Sequence, residues 1–180
     1  MWEYKFTQED VAEANNLAKH LARANLNSIT KGEGHSAGKM GEIAVLNYND
    51  RFKINDTFNN DLILDNNITV EVKTKRRTFN PLMNWEASIA ESSLHQKPDI
   101  YIFVSLTYSS EALETLENLT NVWVIGQISR EDYFKKAKYL PIGTPIGKGK
   151  KSKRPMYNIY YYQLNPLSSL LEEKQGMFVF

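Results

Sequence analysis

From residue 7 an apolar side chain returns every three or four positions, at Val11, Ala14, Leu17, Ala18 and Leu21, and this spacing predicts a helix over 7–25. Thr7 suits its N-cap, and Glu9 and Asp10 suit its first turn, where negative charge meets the exposed N–H groups. A polar, glycine-containing loop is expected over 26–36, and a second helix from about Ala37 to Tyr48 with Ser36 as its cap. Arg51 to Phe58 alternates weakly, as a strand would. Asp61–Leu64 and Ile68–Thr74 are short apolar runs separated by Asp65-Asn66-Asn67, residues that tolerate left-handed turns, and together they predict a β-hairpin. A loop with Pro81 follows over 76–83, then a helix from Asn84 to about Leu94. Ile100–Leu106 and Val122–Ile128 are near-continuous apolar runs, as buried strands require. Between them Glu111–Leu119 is read as helical. Ser129 should cap a short helix that has Glu131 and Asp132 in its first turn. Residues 139–155, rich in proline, glycine and basic residues, describe an exposed, mobile loop, and Met156–Leu164 a tyrosine-rich strand. The order of elements predicts an α/β fold, a central mixed β-sheet flanked by helices.

The hairpin pattern goes further than secondary structure. With residues 65–67 as the turn, Leu64 faces Ile68, Ile63 faces Thr69, and Asp61 faces Glu71. Alternation then puts Leu62, Leu64, Ile68, Val70 and Val72 on one face and Asp61, Ile63, Thr69, Glu71 and Lys73 on the other. The apolar face must be core, which fixes the register. Two carboxylates and a lysine therefore meet on one patch, with opposed side chains about 5 Å apart at Cβ. Two such carboxylates repel unless they share a proton or a cation. Oxygen ligands of this kind suit a hard ion such as Mg²⁺, which polarises a phosphoryl oxygen and acidifies bound water. A lysine on the same face can orient the attacking water or stabilise charge on a phosphate.

Asp61, nine intervening residues and Glu71-Val72-Lys73 resemble the D…(D/E)xK motif of the PD-(D/E)xK nuclease superfamily. Gly41-Glu42 in the upstream helix resembles a recurrent feature of the same superfamily. The resemblance covers roughly residues 37–106, and Asn60 stands where the named motif has proline. It implies a fold similar to restriction endonucleases. It further implies metal ligation by Asp61 and Glu71, a backbone carbonyl ligand from Val72, an accessory ligand in Glu42 and a catalytic lysine in Lys73. The implied activity is Mg²⁺-dependent hydrolysis of DNA phosphodiesters, with Mn²⁺ expected to substitute. A cut through both strands often uses two subunits, so a homodimer is carried as a hypothesis.

Bulk properties agree with one globular nuclease domain spanning 1–180. The chain has 180 residues, of which 42% are hydrophobic and 24% charged, enough for a single sizeable core. It has no cysteine, which excludes disulfides and thiolate zinc sites and fits a reducing cytoplasm. No apolar run approaches a membrane span, and the polar, acidic start is unlike a secretory signal. The formal net charge of +1 conceals a clustered distribution. Lys75, Arg76 and Arg77 directly follow the ExK strand, and Lys148, Lys150, Lys151, Lys153 and Arg154 crowd the later loop; both groups suit phosphate contacts. Solvated basic loops are the plainer reading of the same residues.

Other features carry less. Tyr157, Tyr160, Tyr161 and Tyr162 suit base stacking, although alternation assigns some of them to the core. Trp85, Glu86, Ser88 and Ser92 would line the site from the helix after the hairpin, or simply pack and cap. His35 lies in a glycine-rich loop, His20 and His95 stand apart, and Gly38-Lys39-Met40 lacks the spacing and the Ser/Thr of a phosphate loop. Competing functions are a structure-selective resolvase or an exonuclease of the same superfamily, a DNA-binding module with a vestigial site, and an interaction protein whose hairpin bears ordinary surface charge.

Overall fold

A computed structural model describes residues 1–24, 35–55, 60–111, 115–146 and 149–172. In chain order the elements are β1 (Trp2–Tyr4), α1 (Gln8–Ala24), α2 (His35–Leu46), β2 (Lys53–Ile54), β3 (Leu62–Leu64), β4 (Ile68–Arg77), β5 (Glu86–Ala90), β6 (Ile100–Tyr108), β7 (Leu119–Ser129), α3 (Arg130–Lys136), β8 (Lys138–Leu140), β9 (Met156–Tyr160) and α4 (Ser169–Glu172). The fold is α/β. A six-stranded sheet runs β1-β7-β6-β4-β3-β2, and a three-stranded sheet runs β5-β9-β8. The larger sheet is mixed: β4 and β6 are parallel, and its other neighbours are antiparallel.

Alternation along β4 and β6 divides the interior in two. Val70, Val72, Ile100, Ile102, Val104 and Leu106 face the helix layer, where Ala14, Met40, Ile43 and Ala44 complete a core. Tyr101 and Phe103 face the other way, onto Ala87, Ile89 and Ile159 of the small sheet and Tyr133 of α3. The ring of Tyr133 stacks on Phe103 at 5.8 Å, and its hydroxyl donates to the Tyr157 carbonyl at 2.6 Å, with the Ala87 carbonyl 3.1 Å away. β6 is buried at every position because it has a layer on each face, which explains its uninterrupted apolar sequence.

The hairpin register is as alternation predicts, with Leu62 opposite Val70, Ile63 opposite Thr69 and Leu64 opposite Ile68. Residues 65–67 make a single 3-10 turn closed by Asn67 at φ 62°. Thr7 caps α1 reciprocally with Asp10, and Ser129 caps α3 by accepting the Asp132 N–H at 3.1 Å. α2 begins at His35, so Ser36 lies inside the helix and His35 is not a loop residue.

Several expectations are corrected. Residues 84–94 are not a helix: Glu86–Ala90 is a strand paired with β9, followed by a 3-10 turn over Glu91–Ser93. Ala87 and Ile89 face the second core and Glu86 and Ser88 do not, a two-residue period that the helical reading overlooked. Of Glu111–Leu119, residues 111 and 115–118 are not helical and Leu119 opens β7, while 112–114 lie outside the described residues. This stretch links two antiparallel neighbours, and the Ser109 N–H bonds the Asn118 carbonyl across it. The strand expected over 51–58 shrinks to Lys53–Ile54, with 56–59 outside the described residues, as is most of the loop over 26–36. Arg76 and Arg77 belong to β4, so no loop begins at 76. Residues 139–155 start inside β8, and beyond it Pro145 bridges Lys151 in a folded-back excursion. β9 ends at Tyr160, and Tyr161–Gln163 form a 3-10 turn. Among the described residues, no helix is long and apolar enough to cross a membrane.

Candidate functional site

β3 ends where β4 continues, so the hairpin opens at Asp61. The Asp61 N–H donates to the Val70 carbonyl at 3.1 Å, and its Oδ2 accepts the Val72 N–H at 2.8 Å. Asp61 thus brackets Glu71 on β4 and seals the edge that the short β3 leaves open. At the start of β4, Asp99 Oδ2 accepts both the N–H and the hydroxyl of Thr69, at 2.8 and 2.7 Å, which ties that strand end to the entry of β6.

Glu71 is the most deeply placed acid of the group, its side chain 5% exposed. One oxygen, Oε1, accepts from Lys73 Nζ at 2.7 Å. The other, Oε2, is buried without a hydrogen-bond partner. Burial, followed by the charge of Asp61, pushes the Glu71 carboxyl up to about 7, against the opposing pull of Lys73 and of the Gln96 amide. Lys73 reaches only one oxygen of an acid whose ionisation burial and a second acid oppose, so the pair can take a further positive charge. A hard divalent cation fits that donor set. Lys73 also donates to Gln96 Oε1 at 2.9 Å, so the amide fixes where the ammonium points. Gln96 follows the 3-10 turn in a short loop, and no periodicity or motif in the sequence marks it.

Glu42 stands in the helix layer. Its Oε2 accepts from Lys39 Nζ at 2.8 Å, with both side chains largely buried. Its neighbour Gly41 lies against Thr74 of β4, where a Cβ would overlap the threonine hydroxyl. Thr74 shares the helix-side face of β4 with Val72, whereas Glu71 points to the other face. Among the described residues, no group of three or more His, Cys, Asp or Glu residues is placed to hold a metal, so the structure brings Asp61, Glu71 and Lys73 together but does not add Glu42.

The basic residues have separate surroundings. Lys75 is turned inward, donating to the Glu86 carbonyl and the Ser88 hydroxyl, both at 2.8 Å, and burial lowers its ammonium to about 8. Arg76 lies on the opposite face of β4, half-buried. Arg77 lays its guanidinium over the Trp85 ring at 4.9 Å. Lys150, Lys151, Lys153 and Arg154 are exposed on the excursion after β8, and Lys148 lies outside the described residues. Of the tyrosines, Tyr161 is core, Tyr157 is half-buried, and Tyr160 and Tyr162 are exposed and stacked on each other at 5.3 Å. Neither the known protein-family models nor the curated proteins match this chain.

Proposed function

We infer that this chain is a metal-dependent deoxyribonuclease, an endonuclease with a restriction-endonuclease-like fold, centred on Asp61, Glu71 and Lys73. The observation that carries the reading is the buried Glu71 carboxylate, with Asp61 beside it, Lys73 on one oxygen and no partner for the other. Asp61 and Glu71, with the carbonyl of Val72 next after Glu71 on β4, would be the ligands for Mg²⁺ or Mn²⁺. A cation bound there supplies Lewis acidity toward a phosphoryl oxygen and a bound water of lowered pKa. Loading requires Glu71 in its ionised form, which a bound cation favours. Lys73, held by Gln96, presents its ammonium where negative charge develops on the phosphate. Glu42, paired with Lys39 in the helix layer, is left out of this centre. The exposed lysines after β8 supply sequence-independent attraction for the phosphate backbone.

The test is incubation of the purified protein with supercoiled plasmid, linear duplex and single-stranded DNA. Each is run with Mg²⁺, Mn²⁺ or chelator, beside Glu71→Gln and Lys73→Ala variants shown to be folded. Metal-dependent cleavage absent from both variants is the expected outcome. Cutting that survives both substitutions means the centre lies elsewhere, and binding without cutting under every condition makes the chain a DNA-binding module. Light scattering on the active form reads whether the cutting species is the homodimer that a double-strand break would call for.

A further inference from the structure

A cavity of about 350 Å³ opens beyond the carboxylate pair, lined in part by Arg77, Trp85, Glu86, Ile146 and Tyr160. It lies six residues along β4 from Glu71, on the same face of the strand, which is roughly 20 Å at about 3.3 Å per residue. Its frame is fixed by backbone pairing. Glu86 faces Tyr160 in the β5–β9 ladder, and the N–H groups of Tyr161 and Tyr162 donate to the carbonyls of Trp85 and Met83 at 2.8 and 2.9 Å.

The lining has three kinds of surface. Trp85 and Tyr160 are the aromatic side chains of the lining, and Tyr160 is 43% exposed with Tyr162 stacked on it, itself 60% exposed. Arg77 lines the cavity with its guanidinium anchored over Trp85 and its Nε–H buried away from solvent. Glu86 adds a carboxylate, one oxygen of which accepts from Asn158 at 2.7 Å. A carboxylate in the lining repels a phosphate group, so the occupant's charge has to stay outside. The excursion that contributes Ile146 carries Lys150, Lys151, Lys153 and Arg154 on its exposed surface, and these cations can hold a phosphate chain along the rim. Aromatic rings and a carboxylate acceptor inside, with cations on the flank, match a nucleobase entering while its backbone remains in solvent.

We propose that this cavity binds an unpaired base of a DNA strand, making a single-stranded segment a few nucleotides from the scission point part of the substrate. The inference deepens the nuclease reading and rests on it for the strand's destination. Occupancy of the cavity is measured without cleavage.

The experiment is fluorescence anisotropy of a labelled single-stranded oligonucleotide and of a blunt duplex of equal length, titrated with the full chain in chelator. The single strand binds more tightly than the duplex. Tyr160→Ala weakens single-strand binding about tenfold or more, the scale expected from losing one stacked base. Tyr160→Phe binds like the parent. Ile146→Asp, a second variant at an exposed position, weakens it comparably by putting a second carboxylate in the lining. Equal affinity for the two DNA forms, or Tyr160→Ala and Ile146→Asp binding like the parent, overturns the proposal. Loss of single-strand preference with metal-dependent cutting intact removes the cavity and leaves the nuclease; preference retained without any cutting keeps the cavity and removes the nuclease.

Discussion

Asp61 Oδ2 accepts the Val72 N–H at 2.8 Å, across the mouth of a hairpin whose shorter strand has already ended. Without that carboxylate, a backbone donor next to a buried valine would have no partner on that edge of β4. The side chain therefore has two duties, closing the sheet and supplying an acid beside Glu71. Substitutions separate them. Asp61→Ala leaves the Val72 N–H unsatisfied and should cost about 1–3 kcal/mol. Asp61→Asn retains a carbonyl acceptor and should cost under about 1 kcal/mol, the scale of a replaced hydrogen bond. On the proposed function, both variants should lose divalent-cation binding. Urea melts beside calorimetric titration with Mn²⁺ check this, and an Asn variant as unstable as the Ala variant would remove the sealing role.

Glu71 makes stability depend on pH in a stated direction. Its folded-state pKa, about 7, lies above the ordinary 4.5, so the folded protein holds more protons than the unfolded chain between those values. Stability is fully present below about 4.5 and is lost as pH rises through 7. In metal-free buffer Glu71→Gln should match the parent near pH 4.5 and exceed it at pH 8, by on the order of 1–3 kcal/mol from the size of the shift. Added Mg²⁺ should reverse the order at pH 8, because only the parent offers an ionised carboxylate. Thermal melts at the two pH values, with and without metal, decide it. A parent that loses nothing relative to the variant between pH 5 and 8 would mean that the carboxyl is not buried beside a second charge.

The hairpin was legible because its signal is local and redundant. Apolar alternation, an Asp-Asn-Asn turn and a two-residue period all demand one register, and that register alone places Asp61 next to Glu71. The segment Trp85–Ala90 has the same kind of alternation but only Ala87 and Ile89 to show it, and its partner β9 is some 70 residues away in sequence. Its strand character comes from that distant pairing, which a reading of neighbours does not reveal. β1 is three residues long, too short to show a period at all, and forms because Trp2–Tyr4 complete the open edge of β7. Gln96 was invisible for a related reason: a lone amide in a loop acquires meaning only when the fold delivers Lys73 to it. The inward turn of Lys75 was equally hidden, since a basic residue after an ExK strand looks the same in sequence whether it faces solvent or the layer below.

Gly41 sets how closely α2 approaches β4. A Cβ there would overlap Thr74 Oγ1 and lie 3.2 Å from Thr74 Cβ, so the helix rests on the strand at that point. Gly41→Ala gains helix propensity of about 1 kcal/mol but overpacks the contact, for a net loss of about 1–2 kcal/mol. Thr74 Oγ1 is buried with no partner, so Thr74→Ala alone should be near neutral. The pair Gly41→Ala/Thr74→Ala should recover most of the loss, because removing Oγ1 relieves the overlap while the close Cβ–Cβ approach at 3.2 Å stays. Chemical denaturation of the four proteins gives the coupling. Additive effects would mean that the two side chains do not compete for the same space.

Lys75 joins the two sheets, its ammonium on β4 donating to the Glu86 carbonyl and the Ser88 hydroxyl of β5. Burial first, and then the charge of Arg77, lower it to about 8 from 10.5. A depressed folded pKa gives a base the opposite dependence to that of Glu71: its stability is fully present above about 10.5 and is lost as pH falls through 8. The two windows scarcely overlap, so Glu71 governs the slope from 4.5 to 7 and Lys75 the slope from 8 to 10.5. Lys75→Met keeps the length of the side chain and removes both the charge and the donors. The Glu86 carbonyl then goes unpaired at about 1–3 kcal/mol, offset near neutral pH by release of the buried charge. The parent should therefore gain on Lys75→Met steadily between pH 8 and 10, while the Glu71→Gln variant keeps the parental slope there. Urea titrations across that range read the difference directly, and a pH-independent gap between parent and Lys75→Met would place the ammonium in solvent rather than between the sheets.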